Sequence, residues 1–138
     1  MTGPGLDQPA SKESRPGRVV YIVDDDEAVR DSTSWLLKSE GFAALEFPSA
    51  DAFLELFDPA KSGCILLDLH MPGMSGLELL ELLKARGIET PVIVISGRRD
   101  PALNELVMRA GAMAILSKPS NDDDLLALVR QAFEARHG

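Results

Sequence analysis

Only one of the 138 residues is cysteine, one is tryptophan and one is tyrosine, and no apolar run is long enough to cross a bilayer. With one thiol there is no intramolecular disulfide. Cys64 lies within an apolar run and reads as a small core hydrophobe, which suits a reducing compartment. The polar opening has no apolar signal-peptide core, so the sequence points to the cytoplasm and away from membrane. Basic residues are also scarce. Fourteen Lys and Arg face 22 Asp and Glu, a net charge of −8. That deficit disfavours direct contact with nucleic acid or anionic lipid, both of which recruit basic surface. It leaves a basic partner protein open.

What is present is a regular alternation. Residues Met1–Gly17 are rich in Gly, Pro, Ser and charge, show no apolar period, and read as a flexible tail. The rest, 18–138, is one domain, and a chain of this length buries roughly two-thirds of its unfolded surface. Strands are expected at Arg18–Val23, Ala43–Phe47, Gly63–Leu67, Pro91–Ile95 and Met113–Leu116. Helices are expected at Glu27–Glu40, Ser49–Phe57, Gly76–Ala85, Pro101–Ala110 and Asp122–Ala135. Ser75 with Glu78 fits a capping box, and Asp100 before Pro101 fits an N-cap with proline at the first helical position. Asn121 followed by three aspartates suits the positive end of a helix dipole. Gly41, Gly87 and Gly111 stand where helices end in a left-handed residue. Leu103, Leu106, Val107 and Ala110 form one helical core stripe, and Leu125, Leu128, Val129 and Ala132 another. The fold class is α/β: a doubly wound parallel sheet with helices on both faces, a three-layer sandwich.

Five polar residues then stand out by position. Asp24 and Asp25 follow Val19–Val23, Asp68 follows Cys64–Leu67, Ser96 follows Val92–Ile95, and Lys118 lies just beyond Met113–Leu116. Each of these runs reads as a strand buried on both faces. Parallel strands share one carboxyl edge, where open α/β sheets bind ligands. A carboxylate attacks phosphorus only when the incoming charge is neutralised. Asp68, ending the central run, is the candidate nucleophile. Asp24 and Asp25 could join it around one Mg2+, a cation that takes few carboxylates and keeps several waters. Lys118 would offer a compact charge to phosphoryl oxygens and Ser96 a hydroxyl donor.

These residues carry a resemblance. Val23-Asp24-Asp25-Asp26-Glu27, the segment Leu67-Asp68-Leu69-His70-Met71-Pro72-Gly73-Met74-Ser75-Gly76, Ser96-Gly97, Ala110-Gly111-Ala112 and Lys118-Pro119 resemble the receiver domain of bacterial two-component response regulators. The similarity runs from Arg18 to about Arg136. It implies a flavodoxin-like sheet of order 2-1-3-4-5. It further implies that Asp68 accepts phosphate from the phosphohistidine of a sensor histidine kinase. Asp24, Asp25, Asp68 and the backbone carbonyl of His70 would bind Mg2+, and Ser96 and Lys118 the phosphoryl group. Lys118–Pro119 would be cis. Phosphorylation would switch the face formed by the last two helices and the last strand toward an output domain or protein, with dimerisation of two copies as one outcome. The expected role is phosphoacceptor signalling, with no enzyme activity beyond self-catalysed phosphotransfer and dephosphorylation.

Two departures matter. Many receivers carry Tyr or Phe where this chain has Ile115, so Ile115 is either a core residue or a smaller apolar gate. The chain also ends after the last helix, as expected of a single-domain regulator or of the receiver part of a DNA-binding one. His70 and Arg98, each two residues beyond a site residue, flank the expected path of attacking water and are candidates to tune the phosphoryl lifetime. The alternative is a phosphohydrolase of haloacid-dehalogenase type, with Asp24 as nucleophile and Asp26 as acid. Ala28, the short chain and the lack of a cap domain count against it.

Overall fold

The structure is a computed structural model that describes residues 18–60 and 63–137. The 1–17 segment lies outside them. Elements alternate as the apolar periods require: β1 (Val19–Val23), α1 (Glu27–Ser39), β2 (Ala43–Phe47), α2 (Ala50–Leu56), β3 (Gly63–Asp68), α3 (Gly76–Ala85), β4 (Val92–Ser96), α4 (Pro101–Arg109), β5 (Ala114–Ser117) and α5 (Asp122–His137). All strand pairs are parallel, in the order β2-β1-β3-β4-β5. The chain therefore reverses its direction of travel between β1 and β3, and the crevice at their carboxyl ends is the natural ligand position.

Alternation along β1 builds two cores. Tyr21 and Val23 face Phe47, Phe53, Leu67, Leu79 and Val107, under α2, α3 and α4. Val20 and Ile22 face Leu37, Leu66, Leu125 and Val129, under α1 and α5. Every residue of β3 is buried, as expected for the central strand of a doubly covered sheet. β5 is different. It lies at the sheet edge with Ala114, Ile115 and Leu116 only half-buried, so the expectation of burial on both faces fails there. An edge strand has a neighbour on one side only. Leu106 also leaves its expected stripe: it is 50% exposed, whereas Val107 and Ala110 are buried.

Local chemistry sets the boundaries. Asp26 caps α1 by accepting from the Ala28 and Val29 amides. The Ser75–Glu78 capping box is complete, and Asp100 caps α4 ahead of Pro101. Asn121 accepts from the amides of Asp123 and Asp124 at the start of α5. Gly41, Gly87 and Gly111 all hold positive φ. Strands β3 and β4 extend one residue beyond their expected ends, making Asp68 and Ser96 the last residues of their strands. Gly76 serves the site directly. A Cβ there would sit 2.7 Å from the Asp68 carbonyl oxygen and 2.8 Å from Leu69 Cα, so only glycine lets α3 start against the end of β3.

Candidate functional site

Strand register assembles the acids. Val23 pairs with Leu67, so Asp24 and Asp68 leave adjacent strands at the same level. The Asp24 amide donates to Phe47 O at 3.1 Å and the Leu69 amide to Ile95 O at 3.0 Å, which ties each turn to the strand beside it. Asp24 is 3% and Asp68 4% exposed, while Asp25 is exposed to solvent. Carboxylate oxygens of Asp24, Asp25 and Asp68 all lie within 4.8 Å of one another. Such a set fits a hard divalent cation with open positions for water, and it could hold a metal ion.

Lys118, the residue after β5, closes the cluster. Its Nζ donates to Asp68 Oδ1 at 3.3 Å and to Asp24 Oδ2 at 3.5 Å. The Lys118 amide donates to Ser96 O at 2.8 Å, and the Lys118–Pro119 bond is cis. Burial pulls the ammonium's pKa down, but the carboxylates of Asp68 and Asp24 outweigh it and hold the group above its ordinary value. For Asp68, burial is the largest influence and the Asp24 charge the next. Together they push its carboxyl from 3.8 to about 6 against the opposing pull of Lys118 and the His70 amide. Two buried carboxylates therefore share one ammonium, an electrostatic arrangement that invites a cation.

The remaining candidates fall at different distances from this centre. Ser96 is buried, and its hydroxyl is engaged within its own loop: it donates to Arg98 O at 3.1 Å and accepts from the Arg98 amide at 3.2 Å. Arg98 is exposed. The His70 amide donates to Asp68 Oδ1 at 3.4 Å, whereas His70 Nε2 is buried without a hydrogen-bond partner. Ile115 packs against the core beneath α4. One residue escaped the sequence reading altogether. Arg30, on α1, donates from Nη1 to the Asp24 carbonyl at 2.7 Å. An arginine in the second turn of an amphipathic helix carries no sequence mark that separates this from a solvated charge.

Asp26 does not join the cluster as a hydrolase acid would. Its carboxylate is committed to the start of α1, and its amide donates to Asp24 Oδ1 at 2.9 Å. The phosphohydrolase alternative is thus unsupported by the geometry, and comparison with known proteins does not support it either. No helix among the described residues is long and apolar enough to cross a membrane.

Comparison places the same residues in a family. Residues 20–130 match the model of the response regulator receiver domain. The transcriptional regulatory protein FixJ of Azorhizobium caulinodans is 47% identical over 114 residues, covering 83% of this chain and 54% of that protein. The C4-dicarboxylate transport transcriptional regulatory protein DctR of Rhodobacter capsulatus is 38% identical over 121 residues, 86% of this chain and 61% of its own length. Among solved structures, FixJ-N superposes with a TM-score of 0.77 at 41% identity, covering 84% of this chain and 93% of that one. The response regulator StyR gives 0.80 at 39% identity, covering 85% and 59%. The chain spans about half the length of the FixJ relative it matches. With its β2-β1-β3-β4-β5 sheet and its acids gathered at the β1/β3 edge, this chain belongs to the response regulator receiver domains, the signalling modules of phosphorelays.

Proposed function

We propose that Asp68 is the phosphoacceptor and takes its phosphoryl group from the phosphohistidine of a sensor histidine kinase. The observation that carries this reading is the Lys118 ammonium shared between Asp68 and Asp24 across the carboxyl edge. With a pKa near 6 the Asp68 carboxyl is mostly ionised at neutral pH and available as a nucleophile. One carboxylate oxygen forms the new O–P bond as the N–P bond to the donor imidazole breaks, and the nitrogen keeps the electron pair. Asp24, Asp25, Asp68 and the His70 carbonyl would hold Mg2+, which when bound neutralises charge on the phosphoryl oxygens. Lys118 pairs with one of those oxygens. Ser96 reaches another by giving up its hydrogen bond to Arg98 O. The same residues account for self-catalysed transfer and loss of the group.

Phosphorylation adds roughly −1.5 to −2 charges at Asp68. Lys118 and Ser96 follow that charge, and each moves a segment leading to α4 or β5. Leu106 and Met108, 50% and 47% exposed on α4, offer apolar contacts to an output domain or to a second copy of the chain. Ile115, half-buried behind α4, serves as core packing in this scheme. The kinase has its own approach. A cleft of about 690 Å3 runs beside Lys118, lined by Val29, Leu36, Pro119, Leu125 and a Trp35 that is 73% exposed. It leads an apolar helix face to the phosphoacceptor. Relatives named as transcriptional regulators support an output in transcription through another domain, in the cytoplasm.

Incubation with Mg2+ and acetyl phosphate should yield one base-labile phosphoryl adduct by intact mass, mapping to Asp68 after borohydride reduction and peptide analysis. An adduct on Asp24, or none from any donor, would overturn the assignment. We propose further that His70 and Arg98, each two residues beyond a site residue, tune how long the adduct lasts by shielding it from attacking water. Replacing both with Ala should lift that shield and speed decay severalfold; an unchanged first-order rate would remove them from the mechanism.

A further inference from the structure

The Asp24 carbonyl belongs to the peptide that joins Asp24 to Asp25. Fixing that peptide fixes ψ of Asp24 and φ of Asp25, and with them the direction in which each carboxylate leaves the backbone. The peptide unit before it is already held, since the Asp24 amide donates to Phe47 O. Arg30 holds the second, donating from Nη1 to Asp24 O at 2.7 Å. The guanidinium is itself anchored. Its Nε lies 3.6 Å from Glu46 Oε1 on β2, and the arginine side chain is only 14% exposed. Partial burial and then the neighbouring Asp31 hold the Glu46 carboxyl above its ordinary value, while Ser34 and the Arg30 charge, both on α1, pull it down.

We infer that Arg30, held by Glu46, is a positioning residue for the metal centre and acts through the Asp24–Asp25 peptide. This rests on the reading of Asp24 and Asp25 as metal ligands. A guanidinium suits the task because its planar fork donates to the carbonyl through one nitrogen while another faces the Glu46 carboxylate as an ion pair. A lysine ammonium presents a single point of charge and cannot span both. Groups that orient ligands in this way are commonly worth about 10–100-fold in metal affinity.

Charge and position predict opposite signs, which makes the inference testable. Arg30 is a cation near a cation site. Its loss would relieve Coulomb repulsion and on that ground alone tighten Mg2+ binding. Loss of a positioning clamp weakens binding instead. The charge-balanced double variant Arg30→Met with Glu46→Gln separates the two further, since it removes one charge of each sign and avoids leaving Glu46 unpaired against Asp31. Pure electrostatics then predicts little change, and that toward tighter binding, because Arg30 is the charge nearer the site.

The experiment is calorimetric titration of the full chain with Mg2+ alone, without phosphodonor. Relative to wild type, the double variant should bind about tenfold more weakly. Arg30→Lys should fall between the two. Val129→Ala thins the core under α5 without touching the site, and should bind as wild type even though it is less stable. Wild-type or tighter affinity in the double variant overturns the inference, as does wild-type affinity in Arg30→Lys. Equal weakening in Val129→Ala also overturns it, by making the loss one of general stability. Asp25→Asn isolates the underlying reading: if it binds as tightly as wild type, or if wild type takes up no Mg2+, the metal site falls and Arg30 with it.

Discussion

Asp68→Asn should produce a chain that takes up no phosphoryl group and yet, without divalent cation, is more stable than wild type at neutral pH. The first half follows from removing the only nucleophile in the proposed transfer. The second follows from linkage. The Asp68 carboxyl is raised in the folded state from 3.8 to about 6, mainly by burial and then by the Asp24 charge. Between those values the native state binds more protons than the unfolded chain, so wild-type stability falls as pH rises through that window. Above it the cost is fully present, roughly 2–3 kcal/mol at one pKa unit per 1.36 kcal/mol. The Lys118 attraction is already included in the raised value, so losing that ion pair does not reverse the sign. Asparagine keeps the shape without the charge. Urea unfolding in chelator should therefore show the variant ahead of wild type at pH 7 and level with it by about pH 4. An advantage of the same size at both pH values, or none at pH 7, would show that Asp68 is not an electrostatically strained group. Mg2+ should narrow the gap at pH 7, because it binds the native wild type and stabilises it by mass action.

Lys118→Met should do the reverse. Asp24 and Asp68 are almost fully buried and share the one ammonium, so its removal leaves two carboxylates without their cation. Breaking a fully buried pair costs about 3–5 kcal/mol. The lysine side chain is 30% exposed, and solvent screening brings the expectation in chelator down to roughly 2 kcal/mol. Divalent cation can take over the lysine's electrostatic task in the resting site, so saturating Mg2+ should restore most of the loss. Mg2+ affinity should rise at the same time, since a competing positive charge has gone. Parallel unfolding curves in chelator and in Mg2+ check this directly. A loss of equal size in both would mean that Lys118 stabilises through packing of its stem. The variant accepts phosphate only where another cation meets the phosphoryl oxygens, and its adduct should fail to propagate a shift into β5.

Much of this was legible in the chain itself. The alternation of short apolar runs with helical stripes is a local pattern, and it determined ten elements, their parallel pairing and the edge where ligands bind. Asp24, Asp25, Asp68, Ser96 and Lys118 follow from that pattern because each stands at a strand's end. Caps at Asp26, Ser75 and Asp100 are local too: a side chain bonds amides two or three residues away. Other features depend on what lies across the fold. β5 proved half-exposed because edge position is set by strand order, not by the strand's own residues. Leu106 lies outside the core because α4 buries a narrower stripe than its periodicity allows. The Ser96 hydroxyl is held by its own loop, the Asp68 carboxyl is raised by burial beside Asp24, and Arg30 grips the peptide between two acids. Each needs distances between residues far apart in sequence or a knowledge of what solvent reaches. Periodicity specifies which way a segment faces. Only tertiary packing decides which charges meet there and how strongly.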